Sequence, residues 1–518
     1  MREGQPYTFG QITTVSEVPE ADAAEFQSEI KLRPGVTYSP TLIDNTIQRL
    51  EALALKKGFN FVRIEPRVTR DDRNLKLNVA FALVRGERIF VERIDIEGNA
   101  TTLDQVVRRQ FNTVEGDPFN PREILQSAER IRALGYFETA EVNASPGSSA
   151  DQVVVDVNVV EQPTGTLSFG ATYGVSNGLG FNLGFSETNF LGRGQTFAVN
   201  VDTASASSNS QITFIEPAFL GRDLEFRFNT YYRTSNDDNA FYDTRFIGFT
   251  PSIKFPISVS SRLELRYQLS EDSISNVDLG TKDRPGTPRN DKTTGSSSVL
   301  RLEEGALLSS SLGYSLSYDS RRVGLNPNGG VILQFGQDFS GVGGDTHYIL
   351  STALLAAETR IFNESVTLRA ELEGGAVTSL SGNSRVTERF FLNGKIRGFE
   401  PNGIGPRDLQ VDNQDALGGN LFAVARFEAN FPLGLPEEYG ITGGLFLDAG
   451  SVWSLDNANG GPNGGRPVDD SLHLRSAIGV SLFINTPVGP LRLNFSKALA
   501  KQDYDREQSF DLTVSTKF

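Results

Sequence analysis

Cysteine is absent from the 518 residues, which excludes disulfides and thiolate chemistry. Methionine and tryptophan occur once each and histidine twice, leaving little for a metal site built on imidazole. The formal net charge of −15 provides no basic stripe for a phosphate backbone, so no nucleic-acid partner is expected. No metal and no cofactor are expected either. No window approaches the ~20 consecutive apolar residues of a membrane-spanning helix. A hydrophobic content of 38% and a mean hydropathy of −0.27 would suit a soluble protein. They do not exclude a membrane β-barrel, in which only every second residue of a strand faces lipid. The opening MREGQPYTFG has neither an apolar core nor a small-residue cleavage site, so it does not read as a signal peptide.

What is abundant is glycine, at 51 residues, and phenylalanine, at 36, a bias that fits strands with aromatic rims and tight turns. The first third of the chain contains a repeat. One copy is RPGVTYSPTLIDNTIQRLEALALKKGFNFVRIEP (33–66) and the other VEGDPFNPREILQSAERIRALGYFETAEVN (114–143). Gly35, Tyr38, Pro40, Ile43 and Leu50 align with Gly116, Phe119, Pro121, Ile124 and Ile131. Ser39 and Asn120 are N-cap types, each followed by a proline at the first helical position. Leu42, Ile43, Ile47, Leu50 and Leu53 recur at helical spacing, and Gly58 and Gly135 are placed to end the helices. A shorter helix is expected before each (near 22–32 and 101–111), an opening strand before that (8–15 and 88–96), and two strands after. The expectation is two α+β modules, 1–86 and 87–163, each with a three-stranded sheet. Such a module is either simply a compact domain or one whose sheet edge accepts an extended peptide as a further strand.

From Thr166 to Phe518 helical periodicity gives way to period two, interrupted by Gly, Asn, Asp and Ser. In LEFRFNTYY, Leu224, Phe226 and Phe228 oppose Glu225, Arg227 and Asn229; in SRLELRYQL, Leu263, Leu265, Tyr267 and Leu269 oppose Arg262, Glu264, Arg266 and Gln268. Such segments begin near 166, 178, 195, 210, 224, 244, 261, 306, 330, 346, 365, 418, 439, 474, 489 and 509. The count of about sixteen is even, as a bacterial outer-membrane barrel requires. About 350 residues of continuous strand with no second core is large for a soluble sandwich. The predicted class is therefore α+β modules followed by a 16-stranded antiparallel transmembrane β-barrel over 164–518. The chain closes on SFDLTVSTKF, where Phe510, Leu512, Val514 and Phe518 share one face, and such a strand can pair with the first and remove both sheet edges.

Between the eleventh and twelfth segments runs a long loop, near 380–417, that contains KIRGFEPNGIGPRD (395–408). Loops longer than ~12–15 residues are usually functional or disordered. The IRGF tetrapeptide in a sixth outer loop, the paired modules and the terminal phenylalanine together resemble the BamA family of outer-membrane protein assembly factors, whose POTRA domains the modules look like. The resemblance covers essentially the whole chain. BamA members usually carry five POTRA modules and a signal peptide, so the chain is expected to be a truncated piece that keeps the two barrel-proximal modules.

The resemblance implies a set of site residues. In the family the sixth loop folds back into the lumen and its arginine meets acidic residues of the wall. Here that motif is Ile396, Arg397, Gly398 and Phe399. Strand parity offers two acids on the face opposite the leucines and alanines, Asp448 in GLFLDAGSVW and Glu428 in LFAVARFEANF. The family inserts barrel proteins by loosening a seam between first and last strands, here Thr166, Leu167, Ser168 and Phe169 against Phe510, Leu512, Val514 and Phe518. It also implies location in the bacterial outer membrane with periplasmic modules, and no enzymatic activity. The implied partners are unfolded outer-membrane protein clients, outer-membrane lipids and lipopolysaccharide, and accessory lipoproteins, especially on the barrel-proximal module. TamA-like factors and two-partner secretion transporters share the barrel and arginine loop and are the alternative. A passive porin leaves the modules unexplained. An outer-membrane enzyme would rest on GVSNG (174–178), a match to the G-x-S-x-G nucleophile elbow, but the match falls in an expected hairpin and His347 and His473 lie far along the chain.

Overall fold

The computed structural model describes residues 7–515 apart from 60, 87, 175–177, 206, 237–239, 259, 281–293, 324–328, 363–364, 437–438 and 487–488. Its two compact units are residues 1–164 with 191–193, and 165–190 with 194–518.

The first unit contains both modules. One is built from β1 (Thr8–Ser16), α1 (Ala23–Ser28), α2 (Pro40–Lys56), β2 (Val62–Asp71) and β3 (Lys76–Arg85); the other from β4 (Phe90–Glu97), α3 (Asp104–Arg108), α4 (Pro121–Ala133), β5 (Phe137–Pro146) and β6 (Gln152–Glu161). In each the last strand is central, parallel to the opening strand and antiparallel to the other, in the orders β1-β3-β2 and β4-β6-β5. Ile43, Ile47 and Leu50 of α2 are buried against Phe9, Phe26, Phe81 and Leu83, while Val106, Val107 and Ile131 pack on Val155 and Val157 in the second module. Among the described strands, β2 and β5 each pair on one side only.

The helix starts differ in one respect from expectation. The Asn120 side chain accepts a hydrogen bond from the Arg122 amide at 3.0 Å, as an N-cap does. Ser39 has the extended N-cap backbone, with φ −139° and ψ 128°, but its side chain makes no capping bond. That helix start is set instead by Pro40, whose ring presets φ, and by Tyr38 packed on Phe9 with ring centroids 5.4 Å apart.

The second unit is a closed antiparallel barrel. Barrel strands 1 to 16 are Gly165–Gly174, Gly178–Phe190, Gln195–Ala204, Ser207–Glu216, Glu225–Ser235, Asp243–Pro256, Ser261–Ser275, Gly305–Asp319, Gly329–Gly344, Tyr348–Ile361, Val366–Ser379, Leu421–Pro432, Ile441–Trp453, Arg475–Thr486, Gly489–Ala500 and Phe510–Ser515. The alternation in sequence sorts the wall into two faces. Leu265, Leu316, Leu372, Phe427, Leu445 and Leu447 are exposed on the outside. On the inside Arg266 forks onto Asp338 through Nε at 2.7 Å and NH2 at 2.6 Å.

One helix in this unit has no counterpart in the sequence reading. Residues Ser298–Glu303 form α5, capped by Ser297, and Val299 and Leu300 join Ile274, Val277, Val386, Leu417 and Val468 in a buried cluster of connecting loops. A helix of this length is too short to show periodicity, so only packing reveals it.

Candidate functional site

The loop joining barrel strands 11 and 12 contains no regular strand; its backbone pairs singly at Phe390–Gly419, Phe399–Glu507 and Arg407–Ala416. Its apolar residues explain why it is not a solvated loop. Ile396 is 1% exposed and Phe399 7%, packed with Leu392, Ile404, Phe422, Val424 and Val452. Gly398 has φ +93°, and a Cβ there would lie 3.1 Å from Ala477 Cβ and 3.3 Å from Ser496 Oγ. Only glycine combines that backbone with so close an approach to the wall.

Between these two residues Arg397 is held on five sides. Its Nε donates to Asp448 Oδ2 at 2.7 Å and its NH2 to Oδ1 at 2.7 Å, a two-pronged carboxylate contact. Its own amide also donates to Asp448 Oδ2, at 3.0 Å. NH1 donates to Glu428 Oε2 at 2.5 Å, and the guanidinium carbon lies 3.6 Å from the Phe446 ring centroid. Asp448 is fully buried and the Arg397 side chain is 15% exposed. Asp448 and Glu428 come from neighbouring strands 13 and 12, in which Asp448 faces Arg426 and Phe446 faces Glu428. They lie on the face opposite Leu445, Leu447 and Phe427, so the loop reaches deep into the lumen.

Several partners in this cluster were not found from the sequence. Arg492 of strand 15 shares Glu428 at 3.3 Å, Arg426 meets Glu371 at 2.7 Å, and Lys395 meets Glu373. Arg492, Arg426, Glu371 and Glu373 lie on inward parity positions, a signal present in the sequence but shared with every other lumen residue, whereas Lys395 is in the loop and has no parity. Earlier in the loop, Arg389 forks onto Glu303 through NH1 at 2.8 Å and NH2 at 3.1 Å, and donates to the Leu417 carbonyl at 2.7 Å. Arg385 donates to the Glu303 and Gly305 carbonyls at 2.5 and 2.7 Å. These contacts tie the two ends of the loop to the segment that contains α5.

Two carboxyls in this loop are uncomfortable when ionised. Burial pushes Glu388 up to about 7, against the opposing pull of the Arg385 amide and guanidinium. Burial likewise pushes Asp415 up to about 6, although the Ser297 amide donates to it at 2.5 Å. A carboxyl raised on folding binds its proton more tightly in the packed loop than in the released one. Packing is therefore strengthened as pH falls through about 7 and 6 towards ordinary carboxylate values, and weakened as pH rises. Amide exchange over residues 385–417 is expected to slow by about tenfold between pH 8 and pH 5.5, after correction for intrinsic rates. Glu388→Gln should remove most of that dependence, and an unchanged slope in this variant would assign it elsewhere.

The seam joins strand 16 to strand 1 through Thr513–Gly174, Val514–Tyr173 and Ser515–Thr172. Strand 1 pairs on its other side along its whole length, from Gly165–Glu187 to Gly174–Gly178. Of the named seam residues, Leu167, Phe169 and Phe510 point outward and are exposed, and Phe510 packs on Phe495 with centroids 5.2 Å apart. Phe518 lies outside the described residues. So does Ser176 of GVSNG, whose flanking Gly174 and Gly178 pair across an antiparallel hairpin rather than a strand-to-helix turn. His347 and His473 stand just before strands 10 and 14.

A family profile described as "Omp85 superfamily domain" matches residues 189–518. The chain belongs to the Omp85 superfamily. A second profile, the POTRA "Surface antigen variable number repeat", matches residues 7–84 and 89–162. Among curated relatives, an outer membrane protein assembly factor BamA from Neorickettsia risticii (strain Illinois) is 28% identical over 520 residues, covering 100% of this chain and 67% of the relative. The namesake from Neisseria meningitidis serogroup B is 23% identical, over 100% of this chain and 68% of its own length. The chain thus spans about two thirds of these relatives. In fold it matches the crystal structure of BamA from Haemophilus ducreyi lacking POTRA domains 1–3, with TM-score 0.65 and 20% identity over 99% of this chain and 100% of that one.

Proposed function

We propose that this Omp85 barrel assembles and inserts β-barrel proteins into the bacterial outer membrane, with its POTRA modules in the periplasm. The observation that carries this reading is a loop arginine anchored on buried Asp448 inside a closed barrel whose last strand pairs with its first. Unpaired N–H and C=O groups are costly in hydrocarbon, so an opened seam offers an incoming strand a partner it cannot find in lipid. The one-sided edges β2 and β5 suit an extended client on its way there, because strand addition uses main-chain hydrogen bonds and tolerates varied sequence. The modules are taken as 1–86 and 87–163 and the barrel as 164–518.

In this reading Arg397, with Ile396, Gly398 and Phe399, fixes the loop to Asp448 and Glu428 so that the wall of strands 11–15 stays rigid. Flexibility is then confined to the opposite ends of the sheet, strands 1 and 16. The clasp transfers no proton and forms no bond, so no enzymatic step is assigned to it. The named relatives are assembly factors rather than enzymes. Clients are unfolded outer-membrane proteins, accessory lipoproteins would dock on the module 87–163, and lipid and lipopolysaccharide surround the barrel.

The test is reconstitution in phospholipid vesicles with a urea-unfolded client barrel. The chain is expected to raise the rate at which the client becomes membrane-inserted and protease-resistant well above that of empty vesicles. Client that instead accumulates inside the vesicles, translocated but not inserted, would favour the secretion-transporter reading.

A further inference from the structure

The outward face of strands 8–10 breaks the apolar pattern at one level. Cα register sets Tyr314 beside Gln337 and Gln337 beside Ser351. Tyr314 Oη donates to Gln337 Oε1 at 2.8 Å, and Gln337 Nε2 donates to Ser351 Oγ at 2.9 Å. One level towards the loop-bearing end stand Leu312, Phe339 and Ile349; one level the other way stand Leu316, Phe335 and Ala353. The polar trio therefore lies inside the lipid-facing belt, near its loop-bearing edge. Polar groups facing hydrocarbon are expensive and mark interactions.

Two features say what the trio meets. First, its own hydrogen bonds leave donors over: the second amide hydrogen of Gln337 and the Ser351 hydroxyl hydrogen have no acceptor among the described residues. A ligand must therefore bring an acceptor. Second, the level below continues as Ala353, Gly374 and Ala423, small residues between Leu316 and Phe335 on one side and Leu372 on the next level. These residues line an apolar depression of about 920 Å³ on the wall.

We propose that this wall binds a glycerophospholipid, with one acyl chain in the depression and its ester carbonyl oxygen accepting from Gln337 and Ser351. Ser351 is three residues from the start of strand 10, Tyr348, which pairs with Ser379 at the loop-bearing end of the barrel. That height suits an ester rather than the middle of a chain. The rim above it, residues 305–312, 340–350 and 376–382, carries no lysine or arginine. A polyanionic lipopolysaccharide head would lack cations there, whereas a zwitterionic head needs none. A lipid held on strands 8–13 would keep this side of the barrel in an ordinary bilayer while the seam works.

Native mass spectrometry of the full chain, released from vesicles of phosphatidylethanolamine, tests this. Gly374→Leu projects a side chain into the depression, and a Cβ there would meet the Phe422 carbonyl oxygen at 3.4 Å. Gln337→Leu removes the donor, and heat-modifiable migration verifies folding of both. One phospholipid per wild-type barrel, weakened at least about tenfold in each variant, is the expected result. Equal retention in the variants, no stoichiometric lipid on the wild type, or selective retention of lipopolysaccharide when both are offered would each overturn the proposal.

Discussion

Arg397→Ala is expected to reduce client insertion by at least about tenfold while the barrel still closes and migrates as a folded species. The reason is the imbalance it leaves. Asp448 is fully buried and both its oxygens bond to Arg397, so among the described residues the variant leaves this carboxylate only the backbone amide of residue 397. Breaking one partner from a buried pair typically costs about 3–5 kcal/mol. The loop can relieve that by leaving the wall, since around Arg397 it is otherwise held by apolar packing, single backbone pairings and the Lys395–Glu373 ion pair. The barrel has no such exit, because its strands are bonded along their length. Asp448→Ala should match it, and Glu428→Gln should be milder because Glu428 supplies one of Arg397's side-chain bonds and keeps Arg492 nearby. Arg397→Lys should fall between, as an ammonium cannot fork onto Asp448 and reach Glu428 together. Matched loss of insertion and of folding across these variants would reduce the clasp to a structural contact.

Tyr173→Cys with Val514→Cys is expected to abolish client insertion when oxidised and to restore it when reduced. The two Cα atoms face each other across the seam, and the chain has no other cysteine to compete for pairing. A disulfide at that level prevents strands 1 and 16 from separating without touching either module or the Arg397 clasp. The matching control joins Leu447 to Phe427, which face each other on strands 13 and 12 and should leave insertion unchanged. Insertion that survives oxidation of the 173–514 pair would exclude a gate at this seam.

The class of fold was legible because it rests on periods. Leu263, Leu265 and Leu269 opposite Arg262, Glu264 and Arg266 cannot be read as a helix, and sixteen such segments in an unbroken run leave a barrel as the economical solution. The modules were legible from caps and spacing; the Ser39 side chain departs from that reading, and the short helices expected near 22–32 and 101–111 contract to Ala23–Ser28 and Asp104–Arg108. Parity also put Asp448 and Glu428 on the polar face, since a strand exposes alternate residues whatever surrounds it.

Distance was not legible. Nothing in KIRGFEPNGIGPRD fixes how far a loop of this composition travels, and the sequence treats Arg492, Arg426 and Glu371 like any other inward charge. Helix α5 and the Arg389–Glu303 fork depend on loops meeting that are far apart in the chain. The same holds on the outside, where Tyr314, Gln337 and Ser351 become a hydrogen-bonded trio only once three strands are set in register. Local periodicity is a property of a few consecutive backbone angles, so the sequence by itself determined strands, modules and which face each residue takes. Register and loop path are settled by the summed fit of many side chains across strands, and only the tertiary structure decided that Arg397 comes to rest on Asp448.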